Sequence, residues 1–381
     1  MFKWAQGAMS SAIGTAEPVY GPEAVQTVQQ RAGGKCDYTE LTSKDLTWHD
    51  SSSTNVGTQV FYIATEAGPF AMAQVIYSVV EAAVTSFTTC HFNIKLFDPK
   101  NRDTKFWSSC PVKNPTFDEA RTSFYADNVG VTLSEDGGFY KVKSQADPEA
   151  FCNLVFTRLS PGFMAGTDGR TTYGTDQEKP WGEIKHRFWP RCKVEGFFVI
   201  KGETVKVDGQ GLFIHALQDM KPHHAAARWN FANFQGPTTS AVMMEFTTPP
   251  SYGLTRVAVG GLAKDGQVVT GTLDNTVEHV KVENDPEAEW PEPKDIKFTW
   301  KGKDKDGKEL VAVLEKSWGP RMDRVDVMGE VPNFVKKIAS AAAGTRPYIY
   351  QFYEPATLKV TVGDQETLEE GVVFSEATFI S

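Results

Sequence analysis

Nineteen short runs of β-branched and aromatic residues follow one another between residue 59 and the C-terminus, and little between them repeats with a helical period. The first set covers 59–66, 71–80, 85–97, 123–133, 139–143, 151–159, 192–200, 204–207 and 212–216. The second covers 228–234, 241–247, 255–259, 268–273, 277–283, 296–300, 310–314, 348–353 and 358–362, with a last run at 372–380. Asp136-Gly137, Lys201-Gly202, Asp265-Gly266 and Asp306-Gly307 separate several of them, and each glycine supplies the positive φ of a tight hairpin. The chain is therefore expected to be mainly β and antiparallel.

That many strands exceed one ordinary barrel, and two eight-stranded, lipocalin-like antiparallel β-barrel domains packed together absorb them. Gln218-Asp219-Met220-Lys221-Pro222 breaks the pattern, which places the N-terminal barrel at 37–216 and the C-terminal barrel at 217–381. Residues 17–36 read as an extended linker and a short helix over 23–31, begun after Pro22 and stopped by Gly33-Gly34. A second helix is expected over 333–343, between Pro332 and Gly344. The acidic, proline-bearing stretch 284–295 is expected to be a surface loop, and 162–177, rich in Gly, Thr and Asp, a loop or lid over a barrel mouth.

The formal net charge of −9, with basic residues dispersed, argues against nucleic acid as a partner. Five cysteines (Cys36, Cys90, Cys110, Cys152 and Cys192) at irregular spacing suit free thiols in a reducing compartment. The most apolar stretch, 70–84, carries Gln74, Ser78 and Glu81 and is not a membrane span. A soluble cytosolic protein is expected.

Residues 1–16 behave differently. Wound at about 100° per residue, Phe2, Trp4, Ala5, Ala8, Met9, Ala12, Ile13 and Ala16 share one face with Met1. Lys3, Gln6, Gly7, Ser10, Ser11 and Gly14 share the other. A bulky apolar face backed by small, nearly uncharged residues suits shallow, reversible insertion into a membrane surface, with hydrophobic burial outweighing charge. The alternative is a terminal helix docked on the protein's own body.

Familiar catalytic signatures are missing: the chain has no Gly-x-Ser-x-Gly, Walker loop, Gly-x-Gly-x-x-Gly after a strand, or His-Glu-x-x-His. No metal or cofactor is expected. His215, Asp219, His223 and His224 form the densest imidazole cluster, but Pro222 interrupts any helix that would align them, so they read as connector residues. His91 reads as a wall histidine. Trp181 to Trp189, with Lys185, His186 and Arg187, reads as a solvated strand edge. Trp229, Phe231 and Phe234, like His215, are candidates to line a lipid cavity; for the three aromatics, filling the second barrel is the leading alternative.

Met1-Phe2-Lys3-Trp4-Ala5-Gln6-Gly7 and Thr15-Ala16-Glu17-Pro18-Val19-Tyr20-Gly21 resemble the N-terminus of the fungal survival-factor proteins, and the paired-barrel body is similar too. The resemblance implies two lipocalin-like domains and a cytosolic ceramide-binding protein that moves ceramide from endoplasmic reticulum to Golgi. It also implies a role in surviving oxidative stress, occasional nuclear residence, and membrane attachment by a terminal helix acetylated at Met1. A more distant likeness links Gly209-Gln210-Gly211-Leu212-Phe213-Ile214-His215 to hydratases and cyclases acting on isoprenoid or flavonoid lipids. Ile214-His215-Ala216-Leu217-Gln218 replaces their Asp-His-x-Trp-Gly sequence. The rival reading is such an enzyme on a hydrophobic isoprenoid or polyketide substrate, with His215 and Asp219 as acid and base.

Overall fold

The computed structural model describes residues 18–34, 37–49, 54–82, 85–220, 222–330 and 347–381. The expected helices over 1–16 and 333–343, and with them Met1, Phe2, Trp4, Ala5, Ala8, Met9, Ala12 and Ile13, lie outside the described residues. Strands dominate, every ladder is antiparallel, and they form two curled sheets.

The first sheet runs, edge to edge, through Lys105–Pro111, Thr85–Phe97, Phe70–Ala82, Asn55–Thr65, Glu203–Gln218, Gly182–Ile200, Ala150–Arg158, Phe139–Asp147, Val129–Leu133, Phe124–Ala126 and Thr116–Phe117. The second runs through Gln267–Thr272, Arg256–Lys264, Thr239–Thr247, Arg228–Gln235, Gln365–Phe379, Tyr348–Val362, Glu309–Ser317, Pro291–Lys303 and Thr276–Asn284. Each curls around its own apolar interior in the lipocalin-like manner. Among the described residues no ladder joins the two edges of either sheet; the chain itself passes from one edge to the other, at 112–115 in the first and 273–275 in the second. The chain crosses from one sheet to the other between Gln218 and Arg228.

Three buried layers result. Phe61, Phe156, Trp189 and Phe213 fill the first interior. Phe234, Phe298, Trp300 and Leu358 fill the second. Between the sheets lie Tyr62, Phe70, Leu212 and Ile214 from the first and Phe231, Phe246 and Phe374 from the second. Side chains alternate across a strand, so a central strand with both faces covered reads as a continuous apolar run. Leu212-Phe213-Ile214 is such a run: Phe213 points inward, its neighbours toward the other sheet.

That double burial corrects several expectations. Residues 181–189 are not a solvated edge. They belong to the central strand Gly182–Ile200, where Trp189 is fully buried and His186 nearly so, while Trp181 just outside is exposed. The runs 192–200 and 181–189 are one strand with a register shift between Trp189 and Cys192, which accommodates Pro190. The stretch 162–177 contains strands Phe163–Ala165 and Arg170–Tyr173, and Phe163, Ala165 and Tyr173 pack in the layer between the sheets. No lid forms there, because these apolar residues are worth more buried than over a mouth.

The loop expected at 284–295 is shorter, since strand Pro291–Lys303 begins within it. Asp285 and Glu292 are buried there, receiving Arg324 at 2.8 Å and Arg321 at 2.6 Å. The helix expected over 23–31 is cut back to Val28–Ala32, because Val25 and Gln26 pair with Tyr173 and Thr172. Its start is a capping box between Thr27 and Gln30, and its end is left-handed Gly33. The turns at Lys201-Gly202 and Asp265-Gly266 have positive φ at both residues, as two-residue hairpins require.

Candidate functional site

Antiparallel register sets five residues side by side on the inner face of the first sheet. Arg187 lies opposite His215, His215 opposite Gln59, Gln59 opposite Val75, and Val75 opposite Phe92. Three adjacent members of this row are polar. The next row inward is aromatic: Trp189, Phe213 and Phe61, with Tyr140 4.8 Å from Phe213 and Phe156 4.9 Å from Phe61. A hydrogen-bonding row thus sits directly above an aromatic floor.

Trp48 covers the row from the other side. Its ring centroid is 4.9 Å from that of His215. Gly57 makes room for it: a Cβ there would meet the indole at 2.8 Å. The Trp48 backbone N–H donates to the Arg121 carbonyl at 2.9 Å, which pins the segment across the end of the curled sheet. The neighbouring His49 pairs with Asp219 at 3.0 Å.

Buried polar atoms in folded proteins almost always find partners, and leaving one unpaired costs about 1–3 kcal/mol. Several in this row have none. Trp48 Nε1, Gln59 Oε1, Arg187 Nε and Nη1, and His215 Nδ1 and Nε2 are all shut from solvent without a hydrogen bond. Gln59 Nε2 does donate, to the Tyr140 hydroxyl at 3.4 Å. Burial, and then the charges of Arg187 and His49, hold the His215 pKa well below the ordinary value, so its ring is neutral, with one donor and one acceptor nitrogen. The row therefore offers donors and acceptors together, at van der Waals distance from aromatic rings.

The four residues expected to line one cavity are dispersed. His215 faces the first interior, Trp229 and Phe231 lie in the layer between the sheets, and Phe234 faces the second interior. Trp229 packs 4.9 Å from Phe246 and 6.0 Å from His186; Phe231 packs 5.2 Å from Tyr62. Asp219 takes His49 as its partner, so the His215–Asp219 acid/base pairing is not formed. Among the described residues the one group with metal-ligand proximity is His49, Glu183 and Asp219, within 4.8 Å. Glu183 already receives Arg170 at 3.1 Å and Lys185, cations that a metal ion would have to displace. The cluster fits an ion-pair network better than a metal centre. His215, His223 and His224 take no part in it.

Sequence reasoning passed over Trp48 and Gln59 and set Arg187 on a solvated strand edge. Arg187 and His215 share an odd-numbered alternation on their strands, but only the register showed that these faces meet.

Residues 2–381 match the Svf1 family. A Neurospora crassa protein named ceramide-binding protein svf-1 is 50% identical, the alignment covering 100% of both chains. In fold, the chain is similar to a crystal structure of a putative AttH from Nitrosomonas europaea. The TM-score is 0.59 at 14% identity, over 90% of this chain and 98% of that one. Kievitone hydratase from Nectria haematococca aligns with a TM-score of 0.51 at 13% identity, over 95% and 98%. At such identities the likeness is one of fold.

Proposed function

Because this chain belongs to the Svf1 family, we propose that it is a non-enzymatic ceramide-binding protein carrying ceramide through the cytosol from endoplasmic reticulum to Golgi. Residues 1–16 make the reversible membrane contact, Met1 is acetylated, and the transfer supports survival of oxidative stress. The observation that carries the reading is the unpartnered row of Arg187, His215 and Gln59 under Trp48, set on an aromatic floor.

Ceramide combines an amide, two hydroxyls and long hydrocarbon. Its amide carbonyl suits the N–H groups of Trp48 and Arg187, and its hydroxyls suit Gln59 Oε1 and the imidazole. Each methylene moved out of water is worth about 0.8 kcal/mol, so unaided passage through cytosol is prohibitively slow and a carrier is needed. Hydrophobic insertion by Phe2, Trp4, Met9 and Ile13 gives a weak, releasable membrane hold.

The test is to purify the protein from a ceramide-producing host and identify the lipids that co-purify by mass spectrometry. Ceramide at near-stoichiometric yield is expected, falling at least tenfold in the His215→Phe protein. Phospholipid at background level alone would remove the reading. For the membrane step, Ile13→Asp should abolish flotation with vesicles, while raising salt from about 50 to 300 mM should barely weaken it, because screening acts on a small term.

A further inference from the structure

Ceramide carries no charge, whereas the row proposed to receive it does. An arginine side chain keeps its proton at every pH the protein meets. The Nε and Nη1 of Arg187 are buried without an acceptor, and the neutral imidazole of His215 beside it supplies no counter-charge. The acids whose charge reaches Arg187 are Asp45 and Glu183. Neither accepts a hydrogen bond from Arg187 Nε or Nη1. Glu183 holds Arg170 and Lys185, and Asp45 accepts from the Thr42 backbone N–H and hydroxyl at 2.7 Å each. The row is therefore rich in donors (Trp48 Nε1, Arg187 Nε and Nη1), has an amide acceptor at Gln59 Oε1, and carries a guanidinium whose Nε and Nη1 meet no carboxylate.

We propose that this row also binds the carboxylate of a long-chain fatty acid, with Arg187 as the anion partner and the aromatic floor against the first methylenes. Arg187 then acts as a selectivity residue. It accepts carbonyl and carboxylate head groups and turns away sphingoid bases, whose ammonium group would face the guanidinium at close range in a poorly solvated site. A charge-assisted bond to a carboxylate is stronger than one to a neutral carbonyl. The inference rests on the row being a lipid head-group site, but not on ceramide being its ligand.

The test uses the delipidated full-length protein and cis-parinaric acid, a naturally fluorescent fatty acid, displaced in turn by oleate, methyl oleate and sphingosine. Oleate should compete at least tenfold better than its methyl ester or sphingosine. Arg187→Gln should lower oleate affinity at least tenfold, and Arg187→Lys, which keeps the charge, should restore much of it. Equal competition by oleate and methyl oleate, or unchanged parinarate binding by Arg187→Gln, overturns the proposal. Should Arg187→Gln fail to fold, the acid-against-ester comparison on the unaltered protein decides the matter alone. Arg187-dependent oleate binding without ceramide on extraction would retain this inference and sink the ceramide reading; ceramide without oleate binding would do the reverse.

Discussion

Two of the places where this molecule buries charge treat it in opposite ways. Between the sheets, Lys95 of the first sheet is 3% exposed and fully occupied: its Nζ donates to Asp323 and to Gln351 of the second sheet, each at 2.5 Å. Gln351 in turn donates to Glu376 at 2.6 Å. Arg191 does similar duty, donating to the Gly236 carbonyl at 2.9 Å, to Ser240 Oγ at 2.9 Å and to the Pro237 carbonyl at 2.5 Å. Inside the first sheet His215 is fully buried and Arg187 partly so, and the two ring nitrogens of His215 and the Nε and Nη1 of Arg187 have no hydrogen bond. Desolvation is costly in both places; only the first recovers it within the protein. A satisfied buried charge is a structural tie. An orphaned one is a cost that the protein's own groups do not offset.

The contrast breaks most directly at the tie. Lys95→Met leaves Asp323, Gln351 and Glu376 without their cation and should cost about 3 kcal/mol in a denaturant titration, since removing one partner strands the others. A loss below about 1 kcal/mol would mean that the network holds nothing together. The next largest effect is expected at the cover. Gly57→Ala puts a methyl 2.8 Å from the Trp48 ring, too close to stay, and should cost about 2 kcal/mol by overpacking. Trp48 should become more quenchable by acrylamide in that variant. Unaltered quenching would place the indole elsewhere.

The histidines give a pH signature with a definite sign. His215 is held well below its ordinary pKa, and His186 is pushed down to about 4, both chiefly by burial. A histidine whose folded pKa lies below its unfolded value of about 6.5 binds fewer protons when folded. Stability is then full above about pH 6.5 and falls as pH drops below it, by up to about 1.4 kcal/mol per pH unit for each such group. His215→Phe should remove one such share of the slope between about pH 6.5 and 5.5, leaving those of His186 and His279, which burial likewise pushes down to about 4. An unchanged slope would show that His215 is not buried neutral. Glu376, raised by burial, acts with the opposite sign, its contribution fading as pH rises above about 4.3.

The smallest effect is the most diagnostic. Arg187→Met exchanges an orphaned cation for an apolar side chain of similar reach, so the ligand-free protein should be equally stable or more stable by up to about 1 kcal/mol. A clear destabilisation in the delipidated protein would mean that Arg187 is a structural tie like Lys95, and the contrast would fail.

Much of the fold was legible in the sequence. Alternating aromatic and β-branched runs and Xaa-Gly turns dictate antiparallel hairpins, because strand period and positive φ are local properties that each segment carries. Lysine and arginine on central strands were misread for the same reason: exposure is not local. Residues 181–189 look amphipathic and polar, yet another sheet covers one face and the curl of their own sheet covers the other. The site was legible only in fragments. His215 stood out as an imidazole in an apolar run, but Trp48, Gln59 and Arg187 come from 48, 59 and 187 along the chain, and no spacing rule connects them. The sequence by itself determined the strands, their turns and the class of fold. Which polar side chains meet, and which are left without partners, was decided by the antiparallel register and the curl of the sheet, since hydrogen-bond satisfaction depends on neighbours in space rather than in sequence.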